Sequence, residues 1–185
     1  MNVRGIRWPV VAATMAVTLG LLLGIGFVLK TQTVDTPLKA LYASSPAVAA
    51  STIERQDEGY KITVQMKDVP DLAAAYAKLD QETAKLMKGL PYTIAVEDQR
   101  SEQLEQAYRR VNLYVQEALT TGRFADMADR AEAEAAKAGL TARIGVDNDR
   151  VYVQMHDKTG YLYSVVNRTP VDATKVQRVE GGISL

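Results

Sequence analysis

The sequence contains no cysteine, only one histidine and no net excess of either charge. Without cysteine there is no disulfide, no thiolate nucleophile and no thiolate metal ligand. A lone histidine without a spaced set of carboxylates makes a poor metal site, so we predict neither a metal nor any other cofactor. Residues 52–185 hold 18 basic and 21 acidic side chains, and this balance argues against nucleic acid as a partner.

The motifs of common enzyme classes are also missing. The serines lack the G-x-S-x-G setting of a nucleophile elbow, and the glycines form no phosphate-binding loop. Asp147-Asn148-Asp149 does not continue as an EF-hand loop, which predicts a hairpin turn instead of a calcium site. Glu97 and Asp98 lie between a strand and a helix, where capping is the expected role of an acid. We therefore predict that the chain is not an enzyme.

One long apolar run is present near the start. Residues 8–29 carry no charged side chain, and a helix of this length can cross a hydrocarbon core of roughly 30 Å. Arg4 and Arg7 precede it, so the positive-inside rule predicts a cytoplasmic N-terminus at residues 1–7 and an extracytoplasmic remainder. The absence of cysteine fits an extracytoplasmic bacterial protein. The alternative is a signal peptide cleaved near residue 49, about twenty residues beyond the apolar run.

Small residues recur every four positions within the run, at Ala12, Ala16, Gly20 and Gly24. On a helix they form one ridge without large side chains, and the GxxxG pair allows two helices to approach closely. A plain membrane anchor is the first interpretation of this segment. The alternative is pairing through the ridge with a second copy or with another membrane protein.

The rest of the chain divides by composition. Residues 30–51 mix Thr, Ser, Ala and two prolines without a sustained period, which predicts a flexible tether. Residues 52–169 form the predicted domain, and residues 170–185 a C-terminal tail.

The domain is predicted to be α+β, in the order ββαβ-αα-βββ. Alternating and helical hydrophobic periods, with turn residues between them, mark the elements. Strands are predicted within 52–66 on either side of a turn at 57–59, and at 92–96, 141–146, 150–156 and 161–167; helices are predicted from 70 to 88, from 98 or 101 to 121, and over 124–138. One mixed sheet with the helices on one face is the simplest arrangement of these elements.

Two stretches of the domain are alike. KITVQMKD (61–68) aligns without gaps with RVYVQMHD (150–157), which indicates an old duplication or two equivalent strands. The first βαβ stretch, about forty residues, resembles in its element order the peptidoglycan-binding SPOR-type repeat, which is also carried on single-span bacterial proteins. The resemblance implies that the domain binds an envelope polymer.

Tyrosine dominates the aromatic residues, with nine Tyr against two Phe and one Trp. Tyrosine suits interfaces because it joins apolar area to a polar tip. In strand 150–156, Tyr152, Gln154 and His156 share a face that we expect to be the wetter one, and Tyr161 and Tyr163 share a face of the next strand. The first interpretation of these tyrosines is half-buried sheet packing; the alternative is an interaction surface of Tyr152, His156, Tyr161 and Tyr163.

These observations predict a single-pass, membrane-anchored, extracytoplasmic interaction or assembly module without enzymatic activity. Its partner would be another protein, an envelope polymer or a second copy of the chain. A peptidoglycan-binding domain is one alternative. A carboxylate-dependent envelope hydrolase is the other, and it needs two acids within about 5–10 Å of each other in a cleft.

Overall fold

The computed structural model describes residues 14–19, 34–57 and 59–168. The chain divides into two compact units, residues 1–38 and 39–185. The elements, in chain order, are α1 (Thr36–Ser44), β1 (Val48–Gln56), β2 (Gly59–Met66), α2 (Leu72–Met87), β3 (Tyr92–Glu97), α3 (Glu102–Thr121), α4 (Phe124–Lys137), β4 (Thr141–Val146), β5 (Arg150–His156) and β6 (Tyr161–Asn167).

The prediction of a transmembrane helix is corrected first. Within the described ranges, no helix is both long enough and apolar enough to cross a bilayer. Of residues 8–29, the structure describes 14–19, which are helical. The prediction of a single-pass membrane protein with an extracytoplasmic domain is therefore not supported.

The segment predicted as a tether contains regular structure. Helix α1 occupies Thr36–Ser44, and β1 begins at Val48, four residues before the predicted start of the domain. In the second unit, Tyr42 of α1 is fully buried and its hydroxyl lies 2.7 Å from that of Thr83 in α2. Side chains on distant elements thus order a stretch that has no hydrophobic period of its own.

The first sheet has the strand order β1-β2-β3. Strand β2 pairs antiparallel with β1 through a hairpin and parallel with β3, because α2 carries the chain back across the sheet. Alternate side chains of β2 are buried, from Tyr60 to Met66, as its period of two predicts. Helix α2 begins at Leu72, two residues after the predicted start at Pro70, because Asp71 lies outside the helix and caps it by accepting the Ala74 N–H at 2.9 Å.

The second sheet is the antiparallel meander β4-β5-β6, as predicted for the end of the chain. One face of β5, including Val151, Val153 and Met155, joins the hydrophobic core made with α3 and α4. The opposite face meets α2, where the rings of Tyr76 and Tyr152 lie 5.9 Å apart. Helices therefore cover both faces of this sheet, and the prediction that they lie on one face is wrong.

The single mixed sheet is also wrong, because the six strands form two sheets of three. One isolated bridge joins β6 to the chain after β3, where the Tyr161 N–H donates to the Gln99 carbonyl at 2.9 Å. Two residues further along β6, the Tyr163 N–H donates to the Asp98 carboxylate at 2.7 Å. The Asp98 side chain thus accepts the backbone N–H of Tyr163, so the bridge between β6 and the chain after β3 does not continue as a β-ladder.

The two similar stretches occupy equivalent places. They form β2 and β5, each the central strand of a sheet and each the second strand of a hairpin. Their surroundings then diverge, since β2 is followed by a helix and a parallel strand, and β5 by an antiparallel hairpin. The prediction of two equivalent sheet strands is confirmed.

Candidate functional site

An open cleft lies between the loop joining β2 to α2 and one face of strands β4 and β5. Its volume is about 490 Å³. In the strand register Thr141 is opposite His156 and Arg143 is opposite Gln154, so these four residues belong to one face of the sheet. The cleft is lined by Asp68, Val69, Pro70, Thr141, Ala142, Arg143, Gln154 and His156.

Side chains of the sheet hold the loop in place. The Gln154 side chain is buried; its amide nitrogen donates to the Val69 carbonyl at 2.6 Å, and its oxygen accepts the Leu72 N–H at 3.0 Å. The Arg143 Nη1 donates to the Pro70 carbonyl at 2.9 Å. Because each bond joins a side chain of the sheet to the loop backbone, the wall of the cleft is fixed without a ligand.

An acid and the only histidine meet at one end of the cleft. Asp68 Oδ1 lies 2.7 Å from His156 Nε2, and the Asp68 side chain is 63% exposed. The Tyr163 hydroxyl accepts the Val69 N–H at 2.8 Å and donates to Asp68 Oδ1 at 3.3 Å. Burial raises the pKa of Tyr163 far above its ordinary value, so this hydroxyl keeps its proton and can donate to the acid.

Three rings lie together beside this acid. The ring centroids of Tyr161 and Tyr163 are 5.0 Å apart, and that of His156 lies 6.3 Å from Tyr161 and 6.1 Å from Tyr163. The Tyr161 hydroxyl donates to the Met66 carbonyl at 2.7 Å. Burial raises the pKa of Tyr161, and the nearby Asp68 carboxylate adds to that rise.

No protein-family model, curated protein or solved structure matches this chain. The resemblance of its first βαβ stretch to the SPOR-type repeat therefore gains no support from these comparisons. Any functional conclusion depends on the chemistry of the chain's own residues.

Three of the four predicted surface residues, His156, Tyr161 and Tyr163, are brought together at this end of the sheet. Tyr152 lies apart, because it is opposite Val165 in the register and its hydroxyl donates to Asp147 at 2.7 Å. Burial raises the pKa of Tyr152 to about 12. Tyr152 and Tyr163 are each 1% exposed, so the expectation that this face is the wetter one is wrong; α2 and its preceding loop cover it.

The predicted helix-pairing ridge has one described member. Ala16 is exposed within the helical residues 14–19. Ala12, Gly20 and Gly24 lie outside the described residues, and pairing through this ridge stays a prediction.

The described residues that line the cleft do not include the pair of acids that a carboxylate hydrolase needs. Asp68 is the only carboxylate among the residues lining the cleft. Asp98 is 2% exposed and binds Arg100 at 2.8 Å, while Ser101, and not Asp98, caps α3 through the Leu104 N–H. Within the described ranges, no group of His, Asp and Glu side chains could hold a metal ion.

Sequence reasoning missed the other polar groups of the cleft, which are Asp68, Thr141 and Arg143. Asp68 comes from a loop and the other two from an edge strand far along the chain, so no local spacing connects them. One signal was present, since Asp68 and His156 lie at the ends of the two similar stretches. Only the packing of α2 on the second sheet places them 2.7 Å apart.

Proposed function

We propose that this chain is a non-enzymatic binding module and that the cleft between the Asp68–Pro70 loop and strands β4 and β5 is its binding site. The observation that carries the proposal is a concave surface whose loop is fixed by the buried hydrogen bonds of Gln154, with charged groups of both signs at its rim. Its volume lies within the roughly 300–1,000 Å³ typical of ligand sites.

The fixed loop favours binding energetically. A ligand that enters a pre-formed cleft spends little free energy on ordering the protein, so weak polar contacts suffice for measurable affinity. Gln154 supports the loop from beneath through two hydrogen bonds, and Tyr163 adds a third. Ligand contacts are then left to the exposed residues at the rim, Asp68, Thr141 and Arg143.

Binding is a better proposal than hydrolysis for this cleft. A glycosidase-type mechanism needs a second carboxylate about 5–10 Å from the first, and Asp68 has no such neighbour among the lining residues. The ligand classes that suit the cleft are a small polar molecule, the end of a polymer and a segment of a partner protein. The slight acidic excess of residues 52–185 makes nucleic acid a poor candidate.

Site-specific photo-crosslinking in cells tests the proposal. A photoreactive amino acid replaces Thr141 at the rim of the cleft in the full-length chain, and Thr52 on β1 serves as the control because it is equally exposed but lies on the other sheet. We expect a discrete added mass on the chain with the probe at position 141 and none with the probe at position 52. Identical products from the two positions, or no product from either, would contradict a binding site in the cleft.

A further inference from the structure

Two side chains of β4 keep hydrogen-bonding capacity in the cleft. A guanidinium has five N–H donors in a planar fork, and the bond that Arg143 makes to the described part of the chain uses one of them, at Pro70. Thr141 lies two residues earlier on the same face and is exposed. Together they offer a cationic fork and a hydroxyl, which is the donor set that a carboxylate prefers.

The loop between β2 and α2 offers an acceptor. Asp68 uses Oδ1 for His156 and Tyr163, and it makes no bond through Oδ2 to any described residue. Thr141 is opposite His156 in the strand register, and Arg143 lies two positions further along β4, roughly 7 Å away along the strand. Val69 and Pro70 of the loop also line the cleft.

We infer that the cleft recognises an α-amino carboxylate group. Its carboxylate is bound by Arg143 and Thr141, and its N–H is accepted by Asp68. This inference rests on the proposed binding function and names the class of its ligand. The same chemistry is found in a free amino acid and at the C-terminus of a peptide, and the experiment separates these two sources.

The charges of the cleft favour a ligand that carries both an acceptor and a donor over simpler ions. A polyanion such as phosphate would pair with Arg143 but would bring further negative charge towards Asp68. An isolated cation would pair with Asp68 and be repelled by Arg143. A ligand with a carboxylate at one end and an N–H donor at the other satisfies both residues, because each then meets a group of opposite polarity.

The single histidine of the sequence makes the test direct. In the full-length chain, the imidazole signals of His156 in a ¹H–¹³C NMR spectrum come from one residue that lines the cleft. The probes are N-acetyl-alanyl-alanine, its C-terminal amide and free alanine. We expect a saturable shift of the His156 signals with the acid and at least about tenfold weaker binding of the amide, since the amide cannot form the charged pair.

Variants at the carboxylate end provide the second arm. Arg143→Gln should weaken binding of N-acetyl-alanyl-alanine by about tenfold to a hundredfold, and Thr141→Val by a smaller factor. Arg143→Lys keeps the charge but loses the fork, so it should lie between wild type and Arg143→Gln. Arg109→Gln is the matched control, because Arg109 is exposed on α3 and should leave the affinity unchanged.

The outcomes are distinct. Binding of the peptide acid without binding of alanine indicates a peptide C-terminus, and equal binding of both indicates a free amino acid. Equal affinity for acid and amide, or no shift with any probe, overturns the inference. If Arg143→Gln fails to fold, the Thr141→Val variant and the comparison of acid with amide in the wild-type chain still test the inference. If position 141 forms a crosslink but none of these probes shifts the His156 signals, the ligand class is wrong and the proposed binding function is not contradicted. If there is neither a crosslink nor a shift, both the ligand class and the binding function are wrong.

Discussion

Gln154 has more influence on the cleft than its neutral side chain suggests. Its amide satisfies the Val69 carbonyl and the Leu72 N–H at once, and it does so in a site where it is itself 4% exposed. A buried backbone group without a partner costs about 1–3 kcal/mol. One side chain therefore stabilises both the wall of the cleft and the first turn of α2.

Replacing Gln154 with Leu should lower the free energy of unfolding by about 2–4 kcal/mol, since two buried backbone groups lose their partner. Urea denaturation of the full-length chain measures this change. Gln65→Leu is the control, because Gln65 holds the corresponding position of the similar stretch but is exposed on β2. The Gln65 variant should stay within about 0.5 kcal/mol of wild type; equal losses in the two variants would show that burial of Gln154 does not matter.

At the scale of the element, the turn between β5 and β6 depends on one carboxylate. Asp157 Oδ1 accepts the Thr159 N–H and the Gly160 N–H, each at 2.6 Å, and Oδ2 accepts the hydroxyl of Ser101, the residue that caps α3. These bonds, first among them that from Ser101, lower the pKa of Asp157 from 3.8 to about 2. The acid thus links a hairpin turn to the start of a helix.

The lowered pKa of Asp157 predicts an acid-sensitive contribution to stability. Because the folded state binds the ionised form better, the contribution is complete above about pH 4 and is lost as the pH falls towards about 2. Unfolding measured across this range should show a weaker pH dependence in Asp157→Asn than in wild type. Asp149→Asn removes one carboxylate from the other hairpin turn and controls for net charge. A pH dependence unchanged by Asp157→Asn would contradict the assignment.

Hydrophobic periodicity predicted the helices and strands that bury one regular face. Alternation marked β2, and helical spacing marked α3, whose buried residues include Leu104, Val111 and Val115. Helix α1 was missed because it spans nine residues, and the burial of its Tyr42 comes from elements elsewhere in the chain. Hydrophobic periodicity predicts burial along one element. It does not predict burial of a residue that is covered by an element far away in the sequence.

At the scale of the second unit, Gly160 allows the close contact between β6 and the chain after β3, where the two sheets meet. A Cβ at this position would overlap the Gln99 carbonyl oxygen, the same atom that accepts the Tyr161 N–H. The close approach of the two backbones therefore needs a residue without a side chain. The requirement for glycine at position 160 is steric, and Gln99, about sixty positions earlier in the chain, imposes it.

Gly160→Ala should force Gln99 away from β6 and lower the free energy of unfolding by about 1–3 kcal/mol. Amide hydrogen exchange should then become faster at Tyr161, whose N–H forms the bridge. Lys158→Ala, in the same turn but exposed, should change neither quantity by a comparable amount. Unchanged exchange at Tyr161 in the Gly160 variant would show that the junction tolerates a side chain.

The candidate site was predictable in part. Sequence reasoning selected His156, Tyr161 and Tyr163 from their places on neighbouring strands, and the register brings their rings together. It could not select Asp68, Thr141 or Arg143, because their proximity depends on the docking of the α2 loop against β4 and β5. It also placed Tyr152 on a wet face, since an alternating strand does not reveal that a helix covers each side.

The sequence by itself determined the α+β class, the positions of most strands and helices, and the turns between them, because these follow from hydrophobic period and turn chemistry over short stretches. Tertiary structure decided that there are two sheets and not one, that helices cover both faces of the second, and that a loop acid meets the only histidine in a cleft. Those outcomes depend on single long-range contacts, such as the Asp98 carboxylate on the Tyr163 N–H. No local pattern encodes a contact of that kind.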